Sequence, residues 1–481
     1  MSALNILSAL GLVGLCFIAW LGSENRHIVS WNTIVWGIGL QLIVGAIVFG
    51  IGSNVVVWIN DLLNVVLDAS EAGARFLFGG GNSAFVPDPA RTVGPGEAGR
   101  WLVRTVGAPY VNLPGDRLGP DNLNPGFILA FRSLPQVIFF SGLVSLLYRL
   151  NIIQPIVALF AKIFQRTMKI SGAEALSGAA NIFVGIESAI AVKPFLADMS
   201  RSELCAILAS CFGSIASSVL ALYAGLLRPT FPNITGHLVS ASIMTIPACF
   251  VLAKLLVPET TTPKTFGHIP EEPEEEGKKK LNPVDSLIVG ALDGVKMAVG
   301  IAAVIIAILG LVALFNAVFE GLSQLPGLAG VVFQYITLQN ILGALFLPLT
   351  FLTGVSLPIP FTDGFQENWQ VLWDSSVIIG RRLFETNIPP YNTLAQLART
   401  GEITPRAMLV VSYVLCGFTH FASYGIFVGG LSALVPSRRS DISALGFKAL
   451  WAGTLATLMT GCIAGLFFTG NTDTILGIPM P

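Results

Sequence analysis

An asparagine, a glutamate and a lysine-proline pair interrupt one of the most apolar stretches of this 481-residue chain. Between Gly172 and Gly225 it reads GAEALSGAANIFVGIESAIAVKPFLADMSRSELCAILASCFGSIASSVLALYAG. Small residues crowd Asn181, Glu187 stands inside the apolar flow, and Lys193-Pro194 is expected to stop the run. A bilayer-crossing helix needs roughly 20 apolar residues, so a helix that enters, breaks and leaves on the same side fits better. Irregular backbone at membrane depth is tolerated only where it is buried in protein or lines a cavity, and such a break marks a binding site. The chemistry on offer is ligation by amide, hydroxyl and carbonyl oxygens.

The second half of the chain carries a partial copy. Asn181-Ile182 recurs as Asn387-Ile388, and each asparagine is followed by a polar turn with arginine, Ser200-Arg201-Ser202-Glu203 and Thr404-Pro405-Arg406. Each turn leads into a span with a small or polar break, Cys211 to Ser218 and Cys416 to Ser423, in which Ser214 and His420 stand at the same distance from their asparagines. A repeated hairpin followed by a broken helix points to a secondary transporter with its site where the repeats meet. Glu187 and His420 are costly in a membrane and are functional candidates for that reason. An ion pair of Glu187 with Arg381 or Arg382, and a hydrogen-bonded core role for His420, are the structural alternatives.

The elements that must position these residues follow from composition. The chain is 53% hydrophobic and 11% charged, with a mean hydropathy of +0.74, against about 25% charged in soluble proteins. This is an all-α polytopic membrane protein, in which the apolar runs are expected to form transmembrane helices, two re-entrant hairpins, interfacial helices and an inverted repeat with two broken helices. No basic stripe suggests nucleic acid, and no spacing of cysteine and histidine suggests a metal cluster or an organic cofactor. Residues 1–170 should hold the first spans, a long aqueous loop over 79–126, and an interfacial helix whose Lys162, Arg166 and Lys169 form one basic face. The first hairpin and broken helix occupy 171–257, a charged linker 258–284, a long span and interfacial region 285–369, and the second hairpin, broken helix and last span 370–481.

At the broken elements the chain resembles the concentrative nucleoside transporters. The resemblance rests on ANIFVG from Ala180, SRSEL from Ser200, KLLVPET from Lys254, CGFTHFASYGI from Cys416 and GGLSALVPSRRSDISALGFKALWAGTLA from Gly429. It implies about eight transmembrane helices, two oppositely oriented re-entrant hairpins, two broken helices and a homotrimer in the bacterial inner membrane that symports nucleosides with sodium or protons. Carried over by position, it implies a sodium site made by the side chains of Asn181 and Ser214 and the carbonyls of Val184 and Ile215. The implied substrate site comprises Gly185, Ile186, Glu187, Ser188, Val219, Asn387, Phe418, His420 and Ser423. Here the chain departs from the family: Gly185-Ile186-Glu187-Ser188-Ala189 replaces Gly-Gln-Thr-Glu-Ala, Thr386-Asn387-Ile388 replaces Asn-Glu-Phe, and His420 stands where an asparagine is usual. Proton-coupled transport of another polyhydroxylated solute and a transporter-derived sensor remain as alternatives. An intramembrane enzyme using Glu187 and His420 as an acid-base pair is disfavoured, because no nucleophile, metal motif or second carboxylate accompanies them.

Overall fold

The structure, a computed structural model, describes residues 2–51, 53–78, 128–269, 282–326, 333, 335–360 and 364–477, without the side chains of 51, 53–56, 132, 186, 187, 190, 218 and 474. The aqueous loop expected over 79–126, residues 270–281 of the linker, and residues 327–332 and 334 of the expected interfacial region lie outside the described residues.

Helices α1 (Ala3–Leu21), α2 (Trp31–Ala46, extended by a π turn Ile47–Ile51) and α3 (Ser53–Leu77) open the chain. Two arrays of like order follow. The first is α4 (Leu129–Arg149), α5 (Ile153–Met168), α6 (Gly172–Ala180), a 3-10 limb Ile186–Asp198, the broken helix α7 (Arg201–Gly213) and α8 (Ser217–Leu227), and α9 (Ile234–Leu256). The second is α10 (Pro283–Ser323), α11 (Leu338–Leu352), the hairpin α12 (Phe365–Glu385) and α13 (Ile388–Thr400), the broken helix α14 (Pro405–Val414) and α15 (Phe421–Leu434), and α16 (Arg439–Phe467), which a 3-10 turn Pro436–Arg438 precedes. A short α17 (Thr472–Leu476) ends the described chain. Among the described residues, α1, α2, α4, α9, α10 and α16 are long and apolar enough to cross a membrane. The two broken helices bring the spans to the expected eight.

Sequence chemistry sets the helix ends. Ser171 with Glu174 and Ser200 with Glu203 form reciprocal capping boxes at α6 and α7, so two orphan amides are satisfied at each start. The second of these starts is held by the Glu203 amide donating to Ser200 Oγ at 3.1 Å and the Ser200 amide donating to Glu203 Oε2 at 2.8 Å. Pro389 and Pro390 fall in the first turn of α13, where a missing N–H costs nothing. The prolines thus begin the second limb of the hairpin, while α12 has already ended at Glu385. Pro194 does not stop its run as expected. The descending limb of the first hairpin is a 3-10 helix that continues through Pro194 to Asp198 and gives up only the one amide donor that Pro194 lacks.

Burial sorts the spans. Helices α9 and α16 are enclosed almost all round, whereas α10, 41 residues long, presents Ile306, Leu314 and Val318 outward. At 1.5 Å per residue α10 is about 60 Å long, about twice a hydrocarbon core. It runs beside α4, while α7, α9 and α14 pack against α16. The part of the linker that is described, 258–269, is docked: Gly172 donates its amide to the Thr265 carbonyl at 2.9 Å, and Ala173 donates to Thr265 Oγ1 at 3.1 Å. Lys254, on α9, is buried between Glu174 at 2.6 Å and Glu259 at 3.1 Å, tying the root of the first hairpin to α9.

Candidate functional site

The two repeats interlock. The 3-10 limb of the first hairpin packs on α15, and α8 packs on α13, where Tyr223 and Tyr391 stack with ring centroids 4.6 Å apart. Each hairpin tip is therefore held against its own broken helix and shielded by the other repeat.

At the first tip Asn181 caps α6 and is wholly buried. Its Nδ2 donates to Ser210 Oγ at 3.2 Å, and because Ser210 Oγ spends its own hydrogen on the Ile207 carbonyl at 2.8 Å, the amide cannot be turned round. Asn181 Oδ1 is thereby fixed as an acceptor, and it is buried with no partner. Ser214 lies at the C-cap of α7 and donates its Oγ to the Asn181 carbonyl at 3.0 Å. Ser217 ties down the next turn, with its amide at 3.1 Å and its Oγ at 2.8 Å from the Phe183 carbonyl. Val184 and Ile215 belong to these non-helical turns, so their carbonyls are free of helix ladders. A buried, unpaired polar atom normally costs about 1–3 kcal/mol. A neutral oxygen set of this kind suits a hard monovalent cation, which prefers oxygen ligands and adds charge to a site holding none.

The second tip is built the other way round. Asn387 donates Nδ2 to the carbonyls of Leu415 at 2.9 Å and Gly417 at 2.6 Å, inside the break. Its Oδ1 is buried without a partner of normal geometry, although the Tyr223 hydroxyl lies nearby. Arg382, only 1% exposed, donates Nη1 to the Val414 carbonyl and, at 3.1 Å, to Thr457 Oγ1. Arg381 is occupied by Glu385 at 2.8 Å. The side chains of Ile186 and Glu187 lie outside the described residues, and with them the expected ion pair of Glu187 with either arginine. The break itself passes very close to the first one. A Cβ on Gly417 would sit 2.6 Å from the Gly213 carbonyl oxygen, so only glycine fits there.

His420 is the N-cap of α15, and its Nδ1 accepts the Ser423 amide at 3.1 Å. That bond requires a lone pair on Nδ1, which places the ring proton on Nε2. An imidazolium could not make it. Ser423 Oγ turns back to the Phe418 carbonyl and, at 2.7 Å, to the His420 carbonyl. Phe418 meets His420 edge-on at 6.0 Å. Val219 is buried on α8, and Ser188 faces Ser177 of its own hairpin at 3.5 Å. His420→Ala should therefore lower the thermal stability by about 1 kcal/mol through the lost cap, whereas His420→Asn, which keeps a side-chain acceptor, should not. Equal melting temperatures for the two variants would remove the capping role.

Ser210, Ser217 and Thr457 were not singled out from the sequence, and Arg382 was named only as a partner for Glu187. Ser210 precedes Ser214 by one helical turn, and that i, i+4 pairing on an apolar helix was the available signal.

Comparison with known proteins brings three family models onto the chain: Na+ dependent nucleoside transporter N-terminus over residues 10–81, nucleoside recognition over 130–230, and Na+ dependent nucleoside transporter C-terminus over 237–465. An uncharacterised transporter of Haemophilus influenzae is 33% identical over 96% of this chain and 97% of its own length. The mouse sodium/nucleoside cotransporter 1 is 30% identical over 96% of this chain, which spans 64% of that protein. Among solved structures, CNTnw in an inward-facing substrate-bound state aligns with a TM-score of 0.78 at 29% identity, covering 97% of this chain and 100% of that one.

Proposed function

Because the chain belongs to the Na+ dependent nucleoside transporter family, we propose that it is a sodium-coupled symporter that moves nucleosides or nucleoside-like solutes across a membrane. The observation that carries this reading is Asn181 Oδ1, held buried and unpartnered at the tip of the first hairpin. Asn181, Ser214 and the carbonyls of Val184 and Ile215 hold the sodium ion, which travels with the substrate. Gly185, Ile186, Glu187, Ser188, Val219, Asn387, Phe418, His420 and Ser423 are assigned to the substrate side. Of these, His420 offers an Nε2 donor, and Asn387 offers only its Oδ1, since its amide hydrogens are committed to the break. A proton-coupled carrier of another solute is the less favoured reading beside these family models.

Transport needs no covalent step. The hairpins and broken helices move together against the outer helices, exposing the site to each side in turn. The protein acts as a homotrimer in a bacterial inner membrane. Purified protein in liposomes should take up radiolabelled nucleosides when sodium is high outside, and lose that uptake when the gradient is collapsed. Uptake driven by a proton gradient alone would overturn the coupling. Failure of every nucleoside in a panel that includes uridine would overturn the substrate class.

A further inference from the structure

A second site lies away from the hairpin tips, at the last turn of α5, where a groove of about 330 Å³ opens between that helix and the segment 266–269. Lys162, Arg166, Lys169 and His268 line it, with Gln165 and Phe266. The three lysine and arginine side chains are exposed and form no ion pair among the described residues, whereas Arg201, Arg228, Lys254, Lys264, Lys296, Arg381, Arg438 and Lys448 all do. Gln165 adds a buried Nε2 donor that has no acceptor.

The groove is built and not an accident of a loose loop. Thr33 Oγ1 donates to the Met168 carbonyl at 3.0 Å and fixes the end of α5, and Lys169 is held left-handed there with φ 54°. The opposite wall is pressed on the start of α6, where a Cβ on Gly172 would sit 1.7 Å from the His268 carbonyl oxygen. Apolar side chains continue outward from the basic cluster: Leu159 and Ile156 on α5 and Phe266 on the far wall are exposed.

The geometry points to a binding site for the phosphate headgroup of an anionic phospholipid, with Lys162, Arg166, Lys169 and the Gln165 amide around the phosphate and the acyl chains lying along Leu159, Ile156 and Phe266. A basic in-plane helix with an apolar outer face is what an anionic leaflet attracts. A free phosphate would use the cations and leave the apolar rim without a role. This inference rests on the chain residing in a membrane and not on what it transports.

The test is native mass spectrometry of the full-length protein in detergent, titrated with phosphatidylglycerol or with phosphatidylcholine of the same acyl chains. Wild type should hold one phosphatidylglycerol per chain in preference to phosphatidylcholine. Lys162→Gln combined with Arg166→Gln should weaken that binding by about 25-fold, from about 1 kcal/mol for each basic residue near an anionic surface. Without lipid the melting temperature should not change, since both side chains are exposed. Equal retention of the two lipids, or undiminished selectivity in the double variant, overturns the site. So does displacement by inorganic phosphate at matched concentration, which would make it a free-anion site. Selectivity that emerges only when Glu271, Glu272, Glu274, Glu275 and Glu276 are changed to Gln would mean that the chain's own acidic run fills the groove, and the proposal would fail.

Discussion

Asn181→Ala is expected to raise the sodium concentration for half-maximal uptake by about 10- to 100-fold, because a bond from a neutral group to an ion contributes about 1.5–3 kcal/mol. The variant removes an oxygen that the first hairpin tip holds buried and unpaired, and with it the Nδ2 bond to Ser210 that aims it. Ser214→Ala should act in the same direction through its 3.0 Å bond to the Asn181 carbonyl. The informative control is Asn387→Ala. Its amide lies at the corresponding tip but donates into the second break, so that variant should impair substrate affinity while leaving the sodium dependence in place. Sodium titrations of uptake in proteoliposomes at saturating nucleoside decide the matter, and an unchanged sodium requirement in Asn181→Ala would remove Asn181 from the cation site.

Lys254→Met should be the most destabilising single change outside the transport site. The ammonium is 5% exposed and lies 2.6 Å from Glu174, which has no exposure at all. Removing one partner of a buried pair leaves the other charge uncompensated, at a cost of about 3–5 kcal/mol. The loss should appear as a large drop in melting temperature in detergent. Replacing Glu174 by Gln in the same protein should recover most of it, because the wholly buried carboxylate is then gone, the more exposed Glu259 keeps its bond from the Ser200 hydroxyl, and the amide can still cap α6. Burial works against the charge on Glu259, but Lys254 and the Ser200 hydroxyl hold its carboxyl below the ordinary 4.5. A lowered acid stabilises above its unfolded value and loses that contribution as the pH falls through its folded one. The Lys254–Glu259 contact is therefore expected to be intact at neutral pH and to weaken only below about 4.5. A Lys254→Met protein within about 1 kcal/mol of wild type would contradict the assignment of a buried pair.

The broken elements were legible because apolar runs too short for a bilayer are a length argument, and length survives in a sequence. The capping serines were legible for a related reason: Ser171 with Glu174 and Ser200 with Glu203 repeat the spacing that a helix start demands. What the 3-10 limb does at Pro194 was not, since a proline removes one amide donor and disfavours an α-helix there, and nothing local says whether the chain stops or continues in another helix type. The partners of the basic residues divided along the same line. Arg381 meets Glu385 one turn away on its own helix, a local pairing that spacing reveals. Arg382 meets a carbonyl and a hydroxyl from α14 and α16, and nothing local specifies that. The arrangement of the candidate site follows this division. Which residues stand in the breaks was visible, whereas the direction of each amide depended on Ser210 and on carbonyls brought from other helices.

The contact of Gly417 with the Gly213 carbonyl carries a thermodynamic consequence. No side chain of either glycine stands between the two breaks at that point, so if the first break holds sodium as proposed, a shift of its backbone bears directly on the backbone beside Asn387 and His420. Equilibrium binding of the two solutes is then linked, and linkage is reciprocal: whatever factor sodium adds to nucleoside affinity, nucleoside must add to sodium affinity. A methyl group placed there by Gly417→Ala would force the two backbones apart, and the same protein could then bind each ligand yet lose the cooperation that makes one gradient drive the other.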